Sequence, residues 1–127
     1  MGETYNVRVL SKGVISKITI RELKSDSTGD YARLKYCNTG PEGSFTDGTF
    51  HMMAHDGNVW LTTIPSSPEY DESSTELLRF IVHRPANTCA EGWIMAKPAD
   101  ESQPAKMPGI TAVYFGHGEH TAWWINE

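Results

Sequence analysis

Basic residues never run together in this chain. Lys and Arg number eleven against sixteen Asp and Glu, a formal charge of −5, and no stretch of them could track a phosphate backbone, which argues against nucleic acid as a partner. Long apolar runs are lacking too. None approaches the roughly 18–20 residues that a membrane-spanning helix needs. The opening MGETYNVRVL has no basic segment followed by an apolar one, so no signal peptide is read, and the expected location is cytoplasmic, or secreted if a signal has been removed. Cysteine is scarce. Cys37 and Cys89 are too few for a disulfide framework and too distant for a zinc ribbon; free thiols are the expectation, with a bridge left open if their segments prove adjacent. The chain also lacks a G-x-S-x-G elbow, a phosphate-cradling glycine loop and a thiol with an evident base partner. No cofactor is implied.

What is present is alternation. With 127 residues, 39% hydrophobic and 21% charged, residues 1–127 suit one domain with a real core, and no repeat, linker or composition shift divides them. Val14, Ser16, Ile18 and Ile20 are expected to face one way and Lys17, Thr19 and Arg21 the other, the pattern of a half-buried antiparallel strand. Tyr5-Val7-Val9 precedes it across Ser11-Lys12-Gly13, and Tyr31 to Cys37 follows the turn Asp26 to Asp30. Thr75 to Arg84 could open a helix, but Phe80-Ile81-Val82 favours a strand. Gly92 to Ala96 reads as a short apolar strand, and Lys97 to Pro108, with three prolines, as a surface loop. The chain closes on a hairpin, Ile110 to Phe115 and His120 to Ile125 about the turn Gly116 to Glu119. Eight to ten short strands predict an all-β, antiparallel β-sandwich, with a closed barrel as the alternative.

The stretch from Gly48 to Arg84 is the richest. His55-Asp56-Gly57-Asn58 tolerates positive φ and hydrogen-bonds its own backbone, flanked by β-formers, so a hairpin is expected there. Pro65-Ser66-Ser67-Pro68 must then leave the sheet, because proline donates no ladder hydrogen bond. The run Gly48, Met52, Asp56-Gly57-Asn58-Val59-Trp60-Leu61, Ser66, Pro68, Tyr70-Asp71 resembles the central motif of actinoporins. Thr4-Tyr5-Asn6-Val7-Arg8-Val9 resembles the opening strand of fungal fruit-body lectins, which share that β-sandwich, and Thr46-Asp47-Gly48-Thr49-Phe50 resembles one of their strand starts. Gly118-Glu119-His120 before a final apolar strand is similar to the end of an actinoporin. The resemblance implies an actinoporin-like sandwich that binds either glycans or membrane headgroups.

Departures from the pattern separate those two. Actinoporins insert an amphipathic N-terminal helix, whereas the early amphipathy here has period two, which suits a sheet. Their headgroup loop is rich in aromatics, whereas Tyr70 is the only aromatic residue between Trp60 and Phe80. Glu69, Asp71, Glu72 and Glu76 surround it and would be repelled by anionic lipid. Membrane lipid as a partner is therefore disfavoured. Sugars are held by carboxylates and hydroxyls with an aromatic ring against their C–H face. Ser66, Ser67, Tyr70 and Asp71 supply that set, and the lectin resemblance adds Thr46, Asp47 and Gly48. These seven are the expected carbohydrate-binding residues, set against the plain reading of a solvated acidic connection with Tyr70 packed on the sandwich edge.

Histidine suggests no metal site. His51 and His55 would share a strand face but stand roughly 13 Å apart, and the turn pair His117 and His120 would need ligands from elsewhere. Glu119 with His120, or Asp56 with His55, could act as an acid–base pair only in a cleft. In Met52-Met53 and Trp123-Trp124 neighbours must point oppositely, so one tryptophan should be exposed, and a subunit contact is its expected use. The sequence thus predicts a non-enzymatic lectin, a homo-oligomer that takes cell-surface or free glycans on loops at one end of the sandwich. A headgroup binder or pore-forming cytolysin comes second, and a small β-barrel enzyme using His and Glu third.

Overall fold

Among the described residues eight strands form, each antiparallel to its neighbours. They are β1 (Thr4–Val9), β2 (Gly13–Asp26), β3 (Gly29–Asn38), β4 (Thr49–Ala54), β5 (Val59–Thr63), β6 (Thr88–Lys97), β7 (Ile110–His117) and β8 (His120–Ile125). The structure, a computed structural model, describes residues 2–9, 13–26, 29–40, 49–54, 59–65, 70, 75–77, 79, 85–97, 110–117 and 120–125. Strand order is β1-β2-β3-β6-β5-β4-β7-β8.

The fold is an antiparallel β-sandwich. The sheet turns on itself so that the β1-β2-β3-β6 half faces the β5-β4-β7-β8 half, and it nearly closes: the Trp124 indole donates to the Glu3 carbonyl at 2.7 Å, and Tyr5 meets Phe115 at 6.2 Å between ring centroids. Between the halves Val7, Ile18, Ile20, Leu34 and Ile94 pack against Met52, Trp60, Val113, Phe115 and Trp124, all buried. Buried Ser16 stays satisfied because the Tyr36 hydroxyl donates to its Oγ at 2.8 Å.

Two bulges in β2 interrupt the expected alternation. Opposite Val7 and Arg8 the partners jump from Ser16 to Val14, leaving Ile15 as the extra residue, and Ile15 is buried while Val14 is only half-buried. Further along, the register with β3 jumps from Ile20 to Glu22. Arg21 and Glu22 consequently both face solvent, since a bulge spends two residues on one side of the strand.

Three expectations need correction. Cys37 and Cys89 are not free thiols: they stand directly opposite on β3 and β6 with Cα atoms 4.0 Å apart, and their sulfurs are bonded. Sequence could not place them together because β6 runs from Thr88 and not from Gly92 as expected. Thr75 to Arg84 does not begin as a strand. Thr75–Leu77 and Arg79 are helical; a threonine followed by glutamate suits a helix start, and Leu77 is wholly buried in the core cluster. Residues 80–84 lie outside the described residues, as do the turns 55–58 and 118–119 and the loop 98–109.

Candidate functional site

Most of the residues expected to bind sugar, Thr46, Asp47, Gly48, Ser66, Ser67 and Asp71, lie outside the described residues. Their flanks are visible. Because β4 and β5 are antiparallel, the start of β4 just after Gly48 and the exit of β5 just before Ser66 fall at the same end of the sandwich. Thr63, Met95 and Tyr31 share one row of the sheet there.

Tyr70 sits on that row, buried. Its ring stacks on Tyr31 at 4.2 Å, meets the edge of Trp93 at 5.3 Å and lies under the Lys24 ammonium at 5.2 Å, while its hydroxyl donates to Asp26 at 2.9 Å. With 3% of its surface exposed, the ring offers no platform for a sugar, and the stacking role expected for Tyr70 is corrected accordingly. Its work is to fasten the polar loop to the β2–β3 hairpin. The hairpin is itself tied, with the Gly29 amide donating to Asp26 and the Ser25 hydroxyl to Asp30.

An open aromatic surface lies elsewhere, on the outer face of the β5-β4-β7-β8 half. Register alone lines up two rows across four strands. One row is Leu61, His51, Tyr114 and Trp123, and the next is Val59, Met53, Ala112 and Ile125. Period-two geometry puts both rows on the side away from the core, since Met52, Trp60, Val113 and Trp124 point inward. Val59, Leu61, Trp123 and Ile125 are 42% to 57% exposed, an unusual concentration for one face of a small sheet.

The rings in the first row form a chain. His51 meets Tyr114 at 5.8 Å and Tyr114 meets Trp123 at 4.7 Å, each pair tilted by about 50° (46° and 51°). Gly116 lets Tyr114 lie flat along β7: a Cβ there would come within 2.8 Å of the tyrosine hydroxyl and 3.2 Å of its ring. Beside this chain a cavity of about 240 Å³ is lined by His51, Met52, Met53, Val59, Tyr114 and Trp123. His51 adds one polar feature. Its Nδ1 is buried and has no hydrogen-bond partner among the described residues, an unfavourable burial.

Chemically, this arrangement can bind and orient an apolar or ring-shaped group. Among the described residues no group of three or more His, Cys, Asp or Glu could hold a metal ion. His55, Asp56 and Glu119, considered as acid–base partners, lie outside the described residues. Sequence reasoning expected one of Trp123 and Trp124 to be exposed without choosing between them, and missed the convergence of His51, Met53, Val59 and Tyr114. Alternation gave each a face, but which faces adjoin depends on the order β5-β4-β7-β8, which no local signal carries.

Fold and site together define an all-β sandwich protein with an aromatic, apolar outer face. No family model matches the chain, and no curated protein does. Among solved structures it is similar to MPT63, a secreted protein from Mycobacterium tuberculosis, with a TM-score of 0.64 over 98% of this chain and 93% of that one. Identity is 14%, so the likeness carries the fold alone. No helix among the described residues is long and apolar enough to cross a membrane.

Proposed function

We propose that this protein is a non-enzymatic carbohydrate-binding protein whose contact surface is the outer aromatic face and not the buried ring of Tyr70. The observation that carries the reading is Trp123, half exposed (49%) on a rigid sheet beside Tyr114 and an open cavity. An exposed indole held by a sheet presents its face to the C–H side of a pyranose with little loss of side-chain entropy. The wall of that cavity is almost wholly apolar, so it meets the C–H face of a sugar whose hydroxyls stay turned to solvent. The resemblance to fruit-body lectins supports the same class of ligand. The loops at 46–48 and 66–71 contribute at the end of the sandwich if the glycan is longer than one residue.

An extracellular setting fits this reading. The Cys37–Cys89 bridge belongs to oxidising compartments, and MPT63 is a secreted protein.

A second reading rests on Val59, Leu61 and Ile125, which extend the face beyond the rings and are 47%, 42% and 57% exposed. Such a patch suits a contact between two copies of the chain. Sedimentation at micromolar concentration separates the two: a monomer leaves the face to a ligand, and a dimer lost on Leu61→Lys assigns it to the partner copy.

The direct test is a glycan array probed with the wild-type protein and with Trp123→Ala, beside dye release from sphingomyelin and phosphatidylcholine vesicles. Sugar-inhibitable binding that Trp123→Ala abolishes supports the proposal. Binding unchanged by Trp123→Ala removes the face from consideration, and vesicle leakage without glycan binding overturns the function.

A further inference from the structure

No basic run exists along the chain, yet the pairing of β2 with β3 assembles one sideways. Lys17, Arg21 and Lys24 leave β2, and Arg33 and Lys35 leave β3, on the surface turned away from the core, opposite in sense to the buried Ile18, Ile20, Ala32 and Leu34. These are five of the chain's eleven Lys and Arg. The bulge after Ile20 adds to the gathering, because it turns Arg21 outward beside Glu22.

Among the described residues three carboxylates share this surface: Glu22, Glu91 and Asp26, which lies two residues beyond Lys24 and accepts from the Tyr70 hydroxyl. One oxygen of Glu91 receives Arg21 Nε at 2.7 Å and Arg33 Nε at 3.1 Å, so the terminal NH₂ groups of both guanidiniums remain available among the described residues. Arg33 is further steadied over the Trp93 ring at 5.5 Å. Lys17 and Lys35 have no ion pair or hydrogen bond among the described residues. Five cations against three carboxylates give the face +2 on a chain whose total is −5, so the remainder of the molecule carries −7.

We propose that this face binds a sulfated polysaccharide, at a place separate from the aromatic face and independent of it. Sulfate oxygens accept paired hydrogen bonds from a guanidinium fork and point-charge contacts from lysine. Side chains two apart on a strand stand about 6.8 Å apart and neighbouring strands about 4.8 Å, so the five cations form a narrow band along two strands. A single flexible polyanion can lie on that band. A broad anionic surface such as a bilayer or a duplex would also meet the acidic remainder of the molecule and be repelled.

The experiment is elution of the intact, disulfide-bonded protein from heparin-agarose in a sodium chloride gradient, with duplex DNA-cellulose in parallel. The variant is Lys17→Ser with Lys35→Ser, two side chains outside the core whose loss leaves the circular dichroism unchanged. Wild type is expected to be retained on heparin at low salt and to pass through DNA-cellulose. The variant elutes earlier, with a salt dependence shallower by roughly one to two in log–log slope. Flow-through of the wild type, co-elution of variant and wild type, or equal retention on DNA overturns the proposal. A Trp123→Ala protein tests the other face, and its retention on heparin is expected to equal that of wild type.

Discussion

The indole N–H of Trp124 reaches the backbone carbonyl of Glu3 at 2.7 Å, joining the last strand to the residue before the first. The side chain is also 2% exposed within the core. Trp124→Phe removes the hydrogen bond, leaves a buried acceptor and opens a small gap, and is expected to lower stability by about 1–3 kcal/mol. Its neighbour Trp123→Ala removes mostly exposed surface and is expected to change stability by less than about 1 kcal/mol. Urea midpoints of the two variants against wild type check the contrast.

The Cys37–Cys89 bridge closes a loop with a sequence separation of 52. In the chain-entropy model a loop of that size restricts the unfolded state by about 4 kcal/mol. Replacing both cysteines with serine is expected to lower stability by about 2–4 kcal/mol without unfolding the protein, since β3 and β6 stay paired at eight positions. Melting temperatures of wild type with and without reductant, beside those of the double variant, give the measurement: reductant shifts the first and leaves the second alone.

Gly116 lies beneath the Tyr114 ring. Gly116→Ala meets only the far end of a flexible side chain, so a modest stability change of about 1 kcal/mol or less is expected. The effect on ligand is larger, because a displaced Tyr114 disturbs both of its ring partners, His51 and Trp123. At least a fivefold loss of glycan affinity, read by tryptophan fluorescence titration, is the expected outcome.

Tyr70 offers the complementary case. Tyr70→Phe keeps the stack on Tyr31 and loses the hydrogen bond to Asp26, about 1 kcal/mol. Tyr70→Ala empties a buried aromatic site, about 3–5 kcal/mol. Neither is expected to alter binding at the Trp123 face, and a lost affinity in Tyr70→Phe at unchanged fold would return the site to the loop.

How much of this was legible follows from the range of each signal. Strand identity was readable wherever alternation was clean, as in β2 from Ser16 to Ile20, and the opposed pointing of Trp123 and Trp124 followed from pleat geometry alone. Alternation failed at Val14-Ile15, where a bulge inserts a residue, and at Thr75–Leu77, where helix-start chemistry outweighed the β-branched residues downstream. Thr88-Cys89-Ala90-Glu91 carries little strand propensity of its own and is drawn into β6 by pairing with β3. The sites were harder, because Tyr114 and His51, or Arg21 and Lys35, become neighbours only through strand order. Tyr70 drew attention as a lone aromatic in a polar loop, and that one ring is what four side chains of the fold, Tyr31, Trp93, Lys24 and Asp26, hold in place.

Strand order has a kinetic consequence. β1, β2 and β3 can pair as a meander within the first 38 residues, but β3 finds its second neighbour only in β6, which begins at Thr88. A chain elongating from its amino terminus therefore carries an unsatisfied β3 edge for fifty residues of synthesis, an interval in which that edge is open to pairing with another chain. Joining of Cys37 to Cys89, which passes two electrons and two protons to an external oxidant, follows the docking of β6, so the bridge forms on molecules that have already passed the hazard.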